Sequence, residues 1–348
     1  DATPLLKADN DTGSYSRADN RTRLYYTAKF NDNFKFVNKF EFNSNWGDDN
    51  GGDIGADGDT FKVKNSYADF TLGNVQTKLG IQGASIGRDF LFADDFSGAY
   101  VNMKFGMVEV PLMWIVPDSV DGGGKENDRN YYVAQARIKI SDTFKVQPYF
   151  LYDNKTDLPT NQKWENWYLG VDVDMTMDAL SAWGSFIYNG GSIQTDIFND
   201  NDNKGYLVAA GVDAGIAHGQ AFYASGDEDG PMGEDTFKLP QGASYYWSEI
   251  MGLGTFDNTA SNNAPGDQIS NVWAVNAGVT LKPMDKLTVK GDLWYAALAE
   301  DDANGNTELG VELDGVVTYA LMDNLNVDLV LAYLFSGDAT GGEDVFET

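Results

Sequence analysis

Apolar and polar residues alternate with a period of two along almost the whole chain. From Trp167 to Met175, the apolar set Trp167, Leu169, Val171, Val173 and Met175 interleaves with Tyr168, Gly170, Asp172 and Asp174. Leu309, Val311, Leu313, Val317 and Tyr319 alternate likewise with Glu308, Glu312, Asp314 and Thr318, and Leu325 to Phe335 repeats the pattern opposite Asn326 and Asp328. Successive side chains of a strand point to opposite faces, so each segment predicts a strand with one apolar and one polar face. Sixteen such segments are readable, near 21–30, 34–45, 61–72, 75–86, 96–105, 107–116, 130–140, 144–153, 164–175, 179–190, 204–213, 216–225, 269–281, 286–297, 307–319 and 325–335.

Within each pair of segments the connection is short: Asn31-Asp32-Asn33, Gly73-Asn74, Gly106, Ser141-Asp142-Thr143, Thr176-Met177-Asp178, Ala214-Gly215, Pro283-Met284-Asp285, and Leu321 to Asn324. Asn, Asp and Gly tolerate the positive φ of tight hairpins. Between pairs the connections are longer, acidic and rich in Gly and Asn, as in Gly47 to Asp59, Asp118 to Asp128 and Asn199 to Asn203. Strands of roughly ten to twelve residues exceed the five or six usual in soluble sandwiches. Long alternating strands with short turns at one end and long loops at the other predict a transmembrane antiparallel up-and-down β-barrel. The longest pure apolar run is the seven residues Leu329 to Phe335, far short of the roughly 20 that a spanning helix needs. Tyr25, Tyr26, Tyr67, Trp114, Tyr131, Tyr132, Tyr152, Trp167, Tyr188, Tyr206, Trp273, Trp294 and Tyr333 fall mostly toward strand ends, as in the aromatic girdles of such barrels.

In this architecture the chain resembles Gram-negative outer-membrane porins over nearly its whole length. The resemblance implies an outer-membrane location, short periplasmic turns, long acidic extracellular loops, and contacts with lipid and lipopolysaccharide. It also implies a homotrimer as a candidate assembly. Porins of this kind typically finish on a strand with a terminal aromatic residue, whereas this sequence stops at Phe346-Glu347-Thr348 in a loop-like segment. With the short turns periplasmic, the first and last segments would leave both termini outside the cell. One more strand at each end repairs this, partly in Thr3 to Ala8 and again from near Asp344. The expectation is a single barrel domain over 1–348 with 16 to 18 strands, 18 favoured. No basic and then apolar leader opens the chain, which reads as a mature or trimmed start at Asp1. The 226–268 interval, with Pro231, Pro240 and Pro265 among clustered Gly, reads as one long inserted loop.

Composition removes several functions. Asp plus Glu number 53 against 24 Lys plus Arg, a net charge of −29, which argues against nucleic-acid binding. With no Cys and one His, sites built on thiolates or several imidazoles are excluded. That residue, His218, shares the parity of Gln220 and faces the lumen; no partner for it and no marked nucleophile is evident, so no enzyme is expected. Oxygen-rich loops around Asp57 and Asp59, Asp200 and Asp202, Asp227 to Gly230, and Asp302 to Asn306 are candidate weak calcium sites, though none completes an EF-hand. No cofactor is required otherwise.

The charge layout points to the pore itself. Seventeen of the 24 basic residues precede residue 151, and no Arg follows Arg137. By parity Arg21, Arg23, Lys35, Lys39, Arg137 and Lys139 form a basic wall, and Asp172, Asp174, Glu312 and Asp314 form an acidic wall opposite. Such walls order water, set ion preference and orient dipolar solutes. Two apolar stretches lie in loops, Arg88 to Asp95 and Ser244 to Phe256, and would be exposed patches unless folded inward. Tyr245, Tyr246 and Trp247 are therefore expected in a constriction. The function expected is passive diffusion of ions and small hydrophilic solutes. The alternatives are a substrate-specific channel with an aromatic track for a sugar or aromatic acid, and a plugged structural or adhesive barrel whose loops hold divalent cations.

Overall fold

The computed structural model describes residues 18–46, 60–118, 129–157, 162–194, 201–230, 233–252, 254, 269–341 and 344–348. Nineteen strand segments follow in chain order: β1 Asp19–Asn31, β2 Phe34–Asn45, β3 Thr60–Leu72, β4 Val75–Ile86, β5 Phe92–Phe105, β6 Val108–Asp118, β7 Arg129–Gln135, β8 Arg137–Lys139, β9 Phe144–Asp157, β10 Gln162–Met177, β11 Leu180–Gln194, β12 Asn201–Asn203, β13 Tyr206–Ala214, β14 Ala217–Ala224, β15 Val272–Met284, β16 Leu287–Leu298, β17 Glu308–Met322, β18 Leu325–Ser336 and β19 Val345–Glu347. Every pairing is antiparallel between neighbours along the chain, in one continuous sheet. β7 and β8 are one stave interrupted at Ala136, since both pair with β6 and with β9. β12 and β13 likewise share β11 as partner.

The two faces are the reverse of a soluble sheet. Leu169, Phe186, Val208, Val275, Leu293, Leu313 and Leu331 are exposed on the outside, while Asp172, Ser185, Asn276, Asp292 and Glu312 are buried within. Exposed apolar side chains on one face of every long stave, with backbone groups paired along the ladder, are what hydrocarbon demands of a sheet. The fold is a transmembrane up-and-down β-barrel.

The interior is filled on one side by the β14–β15 connection, here called the strap, whose described residues form no strand. Tyr131 on β7 and Tyr168 on β10 donate their hydroxyls to the carbonyls of Gln241 (3.1 Å) and Lys238 (2.8 Å). On the other side, Tyr245 donates to Gln220 of β14 (2.6 Å), and Trp247 packs edge-on against Trp294 of β16. Contacts reaching from β7 to β16 mean that the sheet wraps around the strap. Phe237 and Met251 are wholly buried, which is where the apolar stretch of this connection goes.

All sixteen expected strands are present, several longer than expected. β9 runs on through Asn154 to Asp157 and β5 begins at Phe92. The alternating pattern marks only the part of a stave that meets lipid, so polar extensions toward the loops leave no signal in it. The further strand expected from near Asp344 is present as the three-residue β19, which pairs with β18 through Phe346 and Tyr333. The strand expected in Thr3 to Ala8 lies outside the described residues.

Candidate functional site

Two polar cavities lie inside the barrel, lined mainly by β4 to β10, and one of them also touches the strap at Tyr245. The first, about 740 Å³, carries Lys78 of β4, Arg88 and Asp89 of the β4–β5 turn, Arg137 of β8, and Asp172 and Asp174 of β10. The other, about 710 Å³, opens among the short turns at Gly106, Asp142 and Thr143, and adds Glu109, Lys139 and Lys145. Arg137, Gln147 and Asp174 line both. The cavities thus adjoin at these three residues, here called the waist of the passage that the two would make together.

Register explains the wall chemistry. Glu109 stands opposite Arg137, Gln147 opposite Asp172, and Lys145 opposite Asp174, so unlike charges and an amide alternate across neighbouring staves. Asp172 accepts a hydrogen bond from Ser185 at 2.7 Å, and Lys139 pairs with Asp142 at 2.6 Å. Arg88 Nη2 pairs with Asp174, and its guanidinium lies 4.9 Å above the Trp183 ring. Each cavity is lined by three basic and three acidic side chains.

The expected basic wall divides into two groups. Arg137 and Lys139 line the passage. Arg23 is held by the buried Glu41 at 2.8 Å with Arg21 beside it, Lys35 by Asp69 at 3.4 Å, and Lys39 lies over Tyr25 at 5.6 Å. The acidic wall divides as well. Asp172 and Asp174 line the passage, whereas Glu312 and Asp314 are covered by the strap. Glu312 accepts the backbone N–H groups of Ile250 (2.6 Å) and Met251 (2.8 Å), so it anchors the strap and does not meet water. Of the expected constriction residues, Tyr245 lines the passage and stacks on Phe90 with ring centroids 3.8 Å apart, Trp247 is buried, and Tyr246 is exposed. Burial pushes the Tyr245 hydroxyl well above the usual phenol range, so it acts as a neutral donor.

Two outcomes differ from expectation. His218 has a partner, Asp292, at 2.8 Å, and the two help line a smaller side cavity of about 290 Å³. They meet across β15 because Gly278 lies between them, where an added Cβ would strike both side chains. Arg88 and Gln147 line the cavities although the sequence pattern does not mark them. Arg88 sits in a stretch whose apolar residues suggested packing, and Gln147 carries no charge to notice. In the candidate calcium loop at 302–306, Asp302 accepts the backbone N–H groups of Asn304 and Asn306 at 2.8 Å each, which hold its carboxyl below the usual range. Asp227 is held in the same way by Asp235 and Asp229. No cluster of three or more metal-binding side chains occurs among the described residues. Asp57, Asp59 and Asp200 lie outside them, and Asp202 is exposed.

Solved structures share this architecture. OpdL of Pseudomonas aeruginosa superposes with a TM-score of 0.64 at 12% identity, covering 96% of this chain and 91% of that one. OccAB4 of Acinetobacter baumannii gives 0.64 at 13%, covering 99% and 93%. OpdK of Pseudomonas aeruginosa, solved with vanillate, gives 0.63 at 11%, covering 99% and 92%. The chain has the outer-membrane porin fold. At these identities the likeness is one of fold, and no protein-family model or curated protein sequence matches the chain.

Proposed function

We propose that the chain is a porin of a Gram-negative outer membrane, through which ions and small hydrophilic solutes diffuse passively. The observation that carries this reading is the pair of adjoining polar cavities inside the barrel, which share Arg137, Gln147 and Asp174. Charged and amide side chains facing each other across a narrow, partly desolvated path act by electrostatics alone, ordering water and aligning dipolar solutes. No catalytic group or cofactor enters this account. Reconstituted into a planar bilayer, the protein is expected to produce discrete, ohmic conductance steps. A folded protein that inserts without conducting would overturn the reading and favour a plugged structural barrel.

A substrate-specific channel is the second reading. It is favoured by the strap, which leaves a passage along one wall in place of an open bore. The solved OpdK complex contains vanillate. Saturable block of conductance by one solute class would support specificity here, and equal permeation of unrelated solutes of one size would count against it.

A further inference from the structure

We propose that Arg88 and Asp174 form a crossbar over the waist of the passage, and that its opening sets the size of solute that passes. This rests on the channel reading above. Arg88 leaves the wall between β4 and β5, whereas Asp174 stands on β10, so their pairing crosses the interior between staves that are not neighbours. Asp174 is one of the three residues shared by both cavities. The bond therefore lies where a solute moves from one cavity to the next.

The base of the bar is fixed. Gly87, Arg88 and Asp89 all adopt left-handed backbone, with φ of 62°, 52° and 72°. Two consecutive non-glycine residues in that region persist only where their surroundings impose it. Here the flanking Phe90 and Leu91 are wholly buried, Phe90 is stacked on Tyr245 of the strap, and Ser85 donates to the Asp89 carboxylate. The turn is clamped between wall and strap, and it aims Arg88 inward.

The tip of the bar is open to solvent. The side chains of Arg88 and Asp174 keep 25% and 34% of their exposure, so water and salt reach the pair. The chain also contains the fixed version of this contact. Arg129 holds Asp153 through two bonds of 2.8 and 2.5 Å, with side-chain exposures of 9% and 0%. Arg88 adds only a long bond to the Val173 carbonyl, at 3.4 Å, and a part-exposed ion pair of this kind favours its closed form by only about 1.5- to fivefold. Both partners have an alternative at hand. Trp183, opposite Asp174 in the β10–β11 register, already lies under the guanidinium, and Lys145 stands opposite Asp174 in the β9–β10 register.

Liposome swelling with neutral sugars tests the crossbar, using a pentose and a trisaccharide as probes. Arg88→Gln and Asp174→Asn should each raise the trisaccharide rate relative to the pentose rate by about two- to fivefold. The double exchange Arg88→Glu with Asp174→Arg should return the ratio toward that of the unmodified protein. If the two residues act only as wall charges, the single variants will shift ion preference in opposite directions and leave the sugar ratio unchanged, and the crossbar is overturned. Asp174→Asn lies on a regular stave away from the strained turn, so it decides the matter even if Arg88→Gln does not fold. Failure of the unmodified protein to pass the pentose would overturn the channel reading, and the crossbar with it.

Discussion

Val171 and Asp172 are adjacent on β10, yet one faces lipid with its exposed row-mate Leu169 and the other lies buried inside against Ser185. An Arg near the midplane of a barrel's outer face costs about 2–4 kcal/mol. Val171→Arg should therefore lower the yield of folded protein in bilayers, and Asp172→Asn should leave it unchanged; heat-modified gel mobility reads both. Gly278→Ala is the matching test inside. The new methyl would separate His218 from Asp292, and a hydrogen bond to a charged partner contributes about 1.5–3 kcal/mol. Its unfolding midpoint in denaturant should fall, and an unchanged midpoint would mean that the contact is idle. These residues also mark what the sequence could disclose. Which face Asp172 or His218 occupies follows from parity, but that Asp292 meets a histidine 74 positions away follows only once three staves are in register.

At the scale of elements, staves were legible and loop conformation was not. Alternation fixes a stave because lipid and water select opposite faces, and clustered Pro and Gly exposed the strap as an insertion. What holds the strap left no trace, since Glu312 binds the backbone of Ile250 and Met251, and main-chain donors are the same in every sequence. The inward aim of Arg88 was hidden for a related reason, because left-handed backbone at a non-glycine residue is imposed by packing. Glu312→Gln presents an amide donor to two N–H groups and should weaken the anchor by about 1.5–3 kcal/mol. The expected result is larger, noisier single-channel currents with normal barrel assembly. Quiet currents of unmodified size would show that the strap is held elsewhere. Acid should act on the strap's first turn. Asp227 is ionised at neutral pH, and the two backbone N–H groups hold its carboxyl below the usual carboxylate range, so its hold on Asp229 and Asp235 is complete at and above that range and is lost as pH falls below it. Amide exchange at Asp235 should accelerate there and stay slow at pH 5.

Over the whole molecule, charge is distributed at two levels. A net −29 draws cations toward the mouth within a Debye length of about 8–10 Å, while the passage itself sets three basic against three acidic groups in each cavity. The outer field and the inner balance together predict a weak cation preference that shrinks as salt rises. Neutralising Asp172 and Asp174 should move the preference toward anions, and neutralising Arg137 and Lys139 should strengthen it. Glu312 and Asp314, covered by the strap, should change current size more than ion preference. The most direct test of a charge-lined passage is the reversal potential across a salt gradient in a planar bilayer. The account predicts a small potential of cation-selective sign that moves in opposite directions in the Asp172/Asp174 and Arg137/Lys139 double variants. Strong anion selectivity in the unmodified protein, or no movement in either double variant, would contradict it.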